Sequence, residues 1–302
     1  MTTPPRGNEL RFLDPAVIAR IGSMELRART IVEGFLIGLH RSPYKGFSVE
    51  FTEYRQYLPG DDLSTIDWKV FARSDRYYVK KFEEETNLEG HLLLDISASM
   101  GYASAEVTKL EYASYLAASL AYLMSRQRDA VGLMAFDDEI ATSIPVSARP
   151  GHLRTLLAAL DRIQLGRRSN VSKPLHKLAD ALHRRGMVVL MSDLLDEPGE
   201  IVRGLRYLRF RGSDVIVFHL LDHAELTFPF DRASRFLDME TEDEVIAVPD
   251  VVRAHYLKEV KDLIALYERE LRLVGIDYCL VDTSKPLDFA LLSYLSARSH
   301  DY

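Results

Sequence analysis

The sequence has little cysteine, no long apolar run and no excess of positive charge. A single cysteine, Cys279, excludes an intramolecular disulfide framework and is too few for a zinc–cysteine cluster. No segment approaches the roughly 18 apolar residues of a membrane-spanning helix, and the N-terminus lacks the pattern of a secretion signal. Lys and Arg total 38 against 45 Asp and Glu, a net charge of −7, whereas phosphate contacts need clustered positive charge. We therefore expect a cytoplasmic protein without membrane insertion and without a nucleic-acid partner.

The composition that remains is that of an ordinary globular protein, with 302 residues, 47% of them hydrophobic and 27% charged. This length is enough for a main domain with a smaller companion. A helix is expected from Pro15 to about Leu39, with Asp14 as its N-cap. We predict an N-terminal tail and helix, a strand-rich lead segment and a main domain, at residues 1–44, 45–90 and 91–302.

The main domain alternates apolar strand segments with amphipathic helices. Its apolar runs are HLLLDI, AVGLMAF, MVVLMS, DVIVFHLL and IDYCLV. Several lack any alternation between polar and apolar residues, which is typical of strands buried on both faces of a parallel sheet. Residues 106–126 and 250–274 instead place apolar side chains three and four apart, as helices with one buried face do. This order predicts an α/β fold with a doubly wound, mostly parallel, Rossmann-like sheet and a small strand-rich N-terminal appendage.

Two hairpins are expected beside the parallel strands. FDDEIATSIPV follows AVGLMAF and is predicted to pair with it as an antiparallel edge. RFLDMETEDEVIAV is predicted to form a second hairpin with its turn near Glu242. In the lead segment, FSVEFTEYRQY and YYVKKFEEE alternate in the manner of strands.

Oxygen-bearing side chains follow two of the apolar strands. DISASMG places Asp95, Ser97 and Ser99 at the carboxyl end of the first strand, where open α/β sheets bind ligands. Asp193 follows MVVLMS, and Ser169 lies in a loop before a later helix. Carboxylate and hydroxyl oxygens suit Mg²⁺, with Mn²⁺ or Ca²⁺ as alternatives. The five residues predict a divalent metal site, although DISAS alone also fits a serine-rich turn that holds no metal.

The Asp-x-Ser-x-Ser motif, with a later hydroxyl and a later Asp, resembles the metal-ion-dependent adhesion site of von Willebrand factor type A domains. That resemblance implies that the metal keeps one open position, which a carboxylate from a partner protein fills. One departure is visible, because the family usually has Thr where this chain has Ser169. The hydroxyl that could bind the metal is retained.

A more extensive resemblance covers about residues 45–300. YRQYLPGDDLSTIDWKVFARSDRYYVKKFEEE, followed by LLLDISASM, is similar to the bacterial domain-of-unknown-function 58 family, which joins such a lead segment to a type A domain. FLDMETEDEVIAVPD and VDTSKPLDFALLSYLSAR resemble its later landmarks. The resemblance implies an adaptor that works with a MoxR-type AAA+ ATPase in assembling or activating other proteins.

We therefore expect a metal-dependent protein-interaction module and not an enzyme. A hydrolase or phosphatase using the Asp95/Ser97 loop is one alternative, and a metal-free scaffold is another. SASMG lacks the Gly that a nucleophile elbow needs at Ser97, and a haloacid dehalogenase-type loop needs a second Asp there. The chain has no phosphate-binding loop of the Walker type, so it is not itself a P-loop ATPase.

Overall fold

The computed structural model describes residues 14–41, 54–56, 78–80, 88–166, 171–181, 186–239 and 243–298. The chain divides into two compact units, one between residues 39 and 87 and the other on either side of that segment. The smaller unit contains an antiparallel pair of strands, β1 (Tyr54–Gln56) and β2 (Tyr78–Lys80). Both strands fall within the segments predicted from alternation, and the rest of the lead segment lies outside the described residues.

The larger unit is built around a sheet to which six strands of the described chain contribute. Its strands and those of a separate hairpin are β3 (Glu89–Asp95), β4 (Ala130–Phe136), β5 (Ile140–Ser147), β6 (Met187–Ser192), β7 (Asp214–Leu221), β8 (Ser234–Leu237), β9 (Glu244–Ala247) and β10 (Asp277–Asp282). The order in the sheet is β10-β7-β6-β3-β4-β5, and only β5 runs antiparallel to its neighbour. The mostly parallel sheet, its antiparallel edge and the β8–β9 hairpin are thus confirmed, whereas the turn predicted near Glu242 lies outside the described residues.

Helices cover both faces of this sheet. They are α1 (Pro15–Ala19), α2 (Met24–Arg41), α3 (Lys109–Arg126), α4 (His152–Leu160), α5 (Ser172–Ala181), α6 (Pro198–Phe210), α7 (His223–Thr227), α8 (Pro249–Arg272) and α9 (Asp288–Arg298). Helix α3 packs against β3 and β4, whereas α5, α6 and α8 enclose a second core in which Leu93, Leu190 and Val217 are fully buried. The architecture is doubly wound, because helices pack against both faces of the central strands and bury their apolar side chains. Within the described residues, no helix is long and apolar enough to cross a membrane.

The single N-terminal helix predicted from Pro15 to Leu39 is wrong, since the structure has two helices there. Asp14 does cap the first helix, accepting a hydrogen bond from the amide of Ala16 at 2.9 Å. The second helix begins after Ser23, whose hydroxyl accepts from the amide of Leu26 at 3.3 Å. The helix-starting signal at Ser23 was concealed by apolar residues that continue at helical spacing across the break.

The antiparallel edge has an irregular register that glycine permits. The pairing of β4 with β5 shifts between Val131 and Leu133. A Cβ at the intervening Gly132 would lie 2.9 Å from the carbonyl oxygen of Ile144 and 2.9 Å from the amide nitrogen of Val146. Such distances fall inside van der Waals contact with backbone atoms, so the two strands approach this closely only because residue 132 has no side chain.

Candidate functional site

The two central strands β3 and β6 end side by side. Leu94 pairs in register with Met191, so Asp95 and then Ser192 and Asp193 emerge at the same edge of the sheet. Asp95 and Asp193 are both fully buried. The structure therefore brings together four of the five predicted residues, namely Asp95, Ser97, Ser99 and Asp193, whereas Ser169 lies outside the described residues.

Both carboxylate oxygens of Asp95 accept hydrogen bonds. Oδ1 accepts from the amide of Ser97 at 2.9 Å, and Oδ2 accepts from the hydroxyl of Ser192 at 2.5 Å. Burial first, and then the neighbouring charge of Asp193, raise the pKa of Asp95 to about 7. Both causes disfavour the charged carboxylate, and the two hydrogen bonds offset them only in part.

The turn after β3 collects two hydroxyls beside this carboxylate. The Oγ atoms of Ser97 and Ser99 lie 3.1 Å apart, with Ser99 in a single 3₁₀ turn, Ala98–Gly101. Ser97 is fully buried, and Ser99 is partly exposed. The hydrogen bond from the Ser97 amide to Asp95 closes the chain into this tight turn, which places one carboxylate and two hydroxyls within a few residues.

Asp193 has one oxygen occupied and one without a donor. Its Oδ2 accepts from the ammonium group of Lys109 at 2.9 Å. Its Oδ1 is buried and has no hydrogen-bond partner among the residues that the structure describes. A buried carboxylate oxygen without a donor is unfavourable, because it has lost its hydration without a replacement. A bound cation beside Oδ1 would remove this cost, so the site fits a metal ion.

Lys109, the first residue of α3, was not predicted as part of the site. It is fully buried, and its ammonium group also contacts Oε1 of Glu225 at 2.7 Å. Burial lowers the pKa of Lys109, but the carboxylates of Asp193 and Glu225 raise it more, so the net direction is upward. When Asp95, Asp193 and Glu225 are all ionised, the site contains three negative charges and the one positive charge of Lys109. A divalent cation would balance the two negative charges that remain.

The backbone after β6 is fixed by side chains from β7, α8 and β10. Nε2 of His219 lies 2.9 Å from the carbonyl oxygen of Asp193, and Nδ1 lies 2.7 Å from the hydroxyl of Tyr278. A carbonyl only accepts, so Nε2 carries the proton and Tyr278 donates to Nδ1. The hydroxyl of Tyr267 donates to the carbonyl of Leu194 at 3.0 Å. These bonds hold Leu194 in the left-handed region, at φ 52°, which is uncommon for a residue with a side chain.

The residues on either side of the Ser169 loop lie next to the other two loops. Gly166 donates its amide proton to the carbonyl of Ile96 at 2.6 Å. Val171 donates its amide proton to Oδ2 of Asp196 at 3.2 Å. The described chain on both sides of the loop thus contacts residues directly after Asp95 and close after Asp193.

The donor set is one of mixed oxygens. Within the described ranges, no group of three or more His, Cys, Asp or Glu side chains is placed to hold a metal ion. An ion held by Asp95 and Asp193 would therefore need hydroxyl and water oxygens as well. Mg²⁺ suits such a set, because it is usually bound through one or two carboxylates and keeps several of its waters.

The strand order and the loops at the carboxyl edge define a von Willebrand factor type A-like α/β domain. Residues 53–263 match the family model described as "Protein of unknown function DUF58", and the chain belongs to this family. The uncharacterized proteins Rv1480 of Mycobacterium tuberculosis and Mb1516 of Mycobacterium bovis are each 30% identical to it over 219 residues. Each alignment covers 72% of this chain and 68% of the relative.

Solved structures show more distant similarity. The protein BatB from Bacteroides thetaiotaomicron is 15% identical, with a TM-score of 0.47, and the match covers 71% of this chain and 100% of that one. The SpRpn10 VWA domain is 10% identical, with a TM-score of 0.38, over 68% of this chain and 93% of that one. The assignment of the fold rests on the observed strand order and helix layers.

Proposed function

We propose that this chain is a metal-dependent protein-interaction module. Asp95, Ser97, Ser99 and Asp193, together with Ser169, would hold a divalent ion, most suitably Mg²⁺. The observation that carries the proposal is the buried oxygen Oδ1 of Asp193, which has no partner in the described chain. When Asp95 is ionised, the site carries two unbalanced negative charges, which supports the same conclusion, because buried charges are normally paired or coordinated to metals.

The chemistry of the site favours recognition of an anionic partner group. When bound, the ion would supply a positive centre at the edge of the sheet. Ser97 and Ser99 are neutral, so the residues of the site would neutralise the ion without giving it a surplus of negative charge. A partner Asp or Glu would then gain a charge-assisted contact where bulk water is excluded and electrostatic attraction is stronger.

The partner proposed from the family resemblance is a MoxR-type AAA+ ATPase, for which this chain would act as a cytoplasmic adaptor. Calorimetry with the purified ATPase tests this. Binding should weaken in excess EDTA and recover with Mg²⁺ or Mn²⁺. Asp95→Ala should lower the affinity at least about tenfold, since removing one partner of a buried charged contact typically costs about 2–5 kcal/mol. Asp138→Ala is the matched control, because Asp138 is an exposed carboxylate just after β4.

Equal affinity with and without EDTA, together with equal affinity for wild type and Asp95→Ala, would show that the ATPase is held by another surface. If the chain binds Mg²⁺ but does not bind the ATPase, the proposal of a metal-dependent interaction module stands and the ATPase is excluded as its partner. Circular dichroism must first show that both variants are folded at the temperature of the calorimetry. Otherwise a loss of affinity would report unfolding.

A metal-free scaffold is the second candidate, and the Lys109–Asp193 ion pair favours it. This ammonium group already supplies one positive charge inside the site. A titration with Mg²⁺ separates the two candidates, because a scaffold would show no saturable binding of the ion.

We also propose that the chain is not an enzyme, and the full burial of Asp95 and Ser97 supports this, because a nucleophile must be reachable by substrate. Purified protein should not hydrolyse ATP, phosphomonoesters or simple esters above background. Saturable hydrolysis abolished by Ser97→Ala would overturn that part of the proposal.

A further inference from the structure

Lys109 holds one of the two oxygens that Asp193 could offer to a cation. Its ammonium group lies 2.9 Å from Oδ2, and neither side chain is exposed to solvent. The backbone of Lys109 is fixed as well, because its amide donates to the carbonyl of Tyr102 at 3.1 Å. The preceding residue, Thr108, forms a reciprocal capping box with Glu111 at the start of α3. The ammonium group therefore belongs to a rigid part of the site.

Glu225 holds the same ammonium group from the other side. Its Oε1 accepts from Lys109 at 2.7 Å, while its Oε2 accepts from the amide of Asp222 at 2.6 Å. The charges of Lys109 and Glu225 cancel, so the pair adds no net charge near Asp95 and Asp193. The effect of Lys109 on an ion in the site is therefore its occupation of Oδ2, which leaves Oδ1 as the unpartnered oxygen of Asp193 in the described structure.

We propose that Lys109 determines which divalent ion the site selects, by restricting Asp193 to a single available oxygen. This inference rests on the proposed metal-dependent function. Ca²⁺ takes six to eight oxygen ligands and often binds both oxygens of one carboxylate, whereas Mg²⁺ demands six and is satisfied by single carboxylate oxygens and water. An Asp193 with one free oxygen favours Mg²⁺, and Lys109 is a positioning residue for this selectivity.

The decisive variant is the double substitution Lys109→Met with Glu225→Gln. It removes one positive and one negative charge, so the net charge of the site stays as it is in the wild type, while Oδ2 of Asp193 becomes available. Mg²⁺ and Ca²⁺ are titrated separately by calorimetry into the full chain. We expect the ratio of Mg²⁺ to Ca²⁺ affinity to fall by about tenfold, at the lower end of what outer-shell partners of metal ligands contribute.

Glu225→Gln alone is the matched control. It retains Lys109 on Oδ2 but makes the site more positive, so affinity for both ions should fall together and their ratio should stay unchanged. A fall of the ratio by about tenfold in this variant would overturn the inference, because charge would then be the cause. The measurement on Glu225→Gln is informative even if the protein does not fold after Lys109→Met. Circular dichroism establishes whether each variant is folded.

The remaining outcomes separate this inference from the proposed function. If the wild type binds Mg²⁺ and the folded double variant keeps the wild-type ratio, Lys109 has no role in selectivity and the metal-dependent function stands. If the wild type binds neither ion, both proposals fall. A purely structural role for Lys109 would lower both affinities alike, which also leaves the ratio unchanged and overturns the inference.

Discussion

The hydroxyl of Ser192 donates a 2.5 Å hydrogen bond to Oδ2 of Asp95 and so joins the ends of β6 and β3. Oγ of Ser192 also accepts a hydrogen bond from the amide of Leu194 at 3.0 Å. Ser192 is fully buried and touches both loops of the candidate site. It therefore orients Asp95 and shapes the turn that carries Asp193.

Ser192→Ala should lower the free energy of unfolding by about 1.5–3 kcal/mol, the usual contribution of a hydrogen bond to a charged group. The substitution leaves a buried carboxylate oxygen and a buried amide without these partners. Urea denaturation followed by circular dichroism measures the change. Ser143→Ala, at an exposed position of β5, is the control and should stay within about 0.5 kcal/mol of wild type. Equal stabilities of the two variants would mean that the Ser192 bond contributes nothing.

Mg²⁺ should raise the stability of the folded chain. An ion that binds only the native state adds about 2.7 kcal/mol when its free concentration is about 100 times its Kd. A thermal unfolding scan with and without Mg²⁺ measures this, and EDTA should return the midpoint to its starting value. Asp95→Asn should abolish the Mg²⁺ response, whereas Asp138→Asn, at an exposed carboxylate, should retain it. A shift of the same size in both variants would place the ion elsewhere.

His91 on β3 should make the protein less stable in mild acid. Burial lowers the pKa of His91 below its ordinary value of about 6.5, although Glu89 opposes the shift. The unfolded chain thus takes up the proton first, so this contribution is present above the unfolded pKa and is lost as the pH falls through the folded pKa.

The test for His91 is denaturation at about pH 7.5 and about pH 5.5 for the wild type and for His91→Gln. The variant should lose less stability between the two pH values than the wild type loses. His255→Gln, on the exposed face of α8, is the control and should behave as the wild type does. An identical pH dependence in all three proteins would exclude a contribution from His91.

Gly132→Ala should destabilise the sheet edge by about 1–3 kcal/mol, the usual cost of inserting a methyl group into a packed region. The added Cβ would meet backbone atoms of β5, which cannot rotate away as a side chain can. Gly22→Ala is the control, because a Cβ there would have no neighbour within 4 Å. Chemical denaturation of both variants decides the matter, and equal stability would show that β5 moves freely to accommodate the methyl group.

The central strands were predictable because burial on both faces leaves long uninterrupted apolar runs. The run MVVLMS is buried throughout in β6, as its composition indicated. The break between α1 and α2 was not predicted, since Ile21 and Met24 continue the apolar pattern across it. There Arg27 donates to the carbonyl of Ile21 at 2.9 Å, a contact that helix periodicity cannot predict.

The candidate site was only partly predictable for a related reason. Asp95 and Asp193 are recognisable because each follows an apolar strand, and the carboxyl ends of parallel strands share an edge. Lys109 carries no such signal, because a lysine in the first turn of a helix ordinarily points into water. His219 and Tyr267 likewise resemble core aromatic residues until the structure shows the carbonyls that they bind.

The neighbouring positions of β3 and β6 have a consequence for how the protein is made. Asp95 and Ser192 are 97 residues apart in the chain, so the ribosome must complete β4, β5 and three helices before they can meet. Pairing of parallel strands across such a separation is intrinsically slow, because the entropy of closing the intervening loop is lost before the contacts form. A nascent chain that stops short of Asp193 has the Asp-x-Ser-x-Ser turn but not its second carboxylate. The two loops can therefore converge only after synthesis has passed Asp193, when β6 is available to pair with β3 in the middle of the sheet.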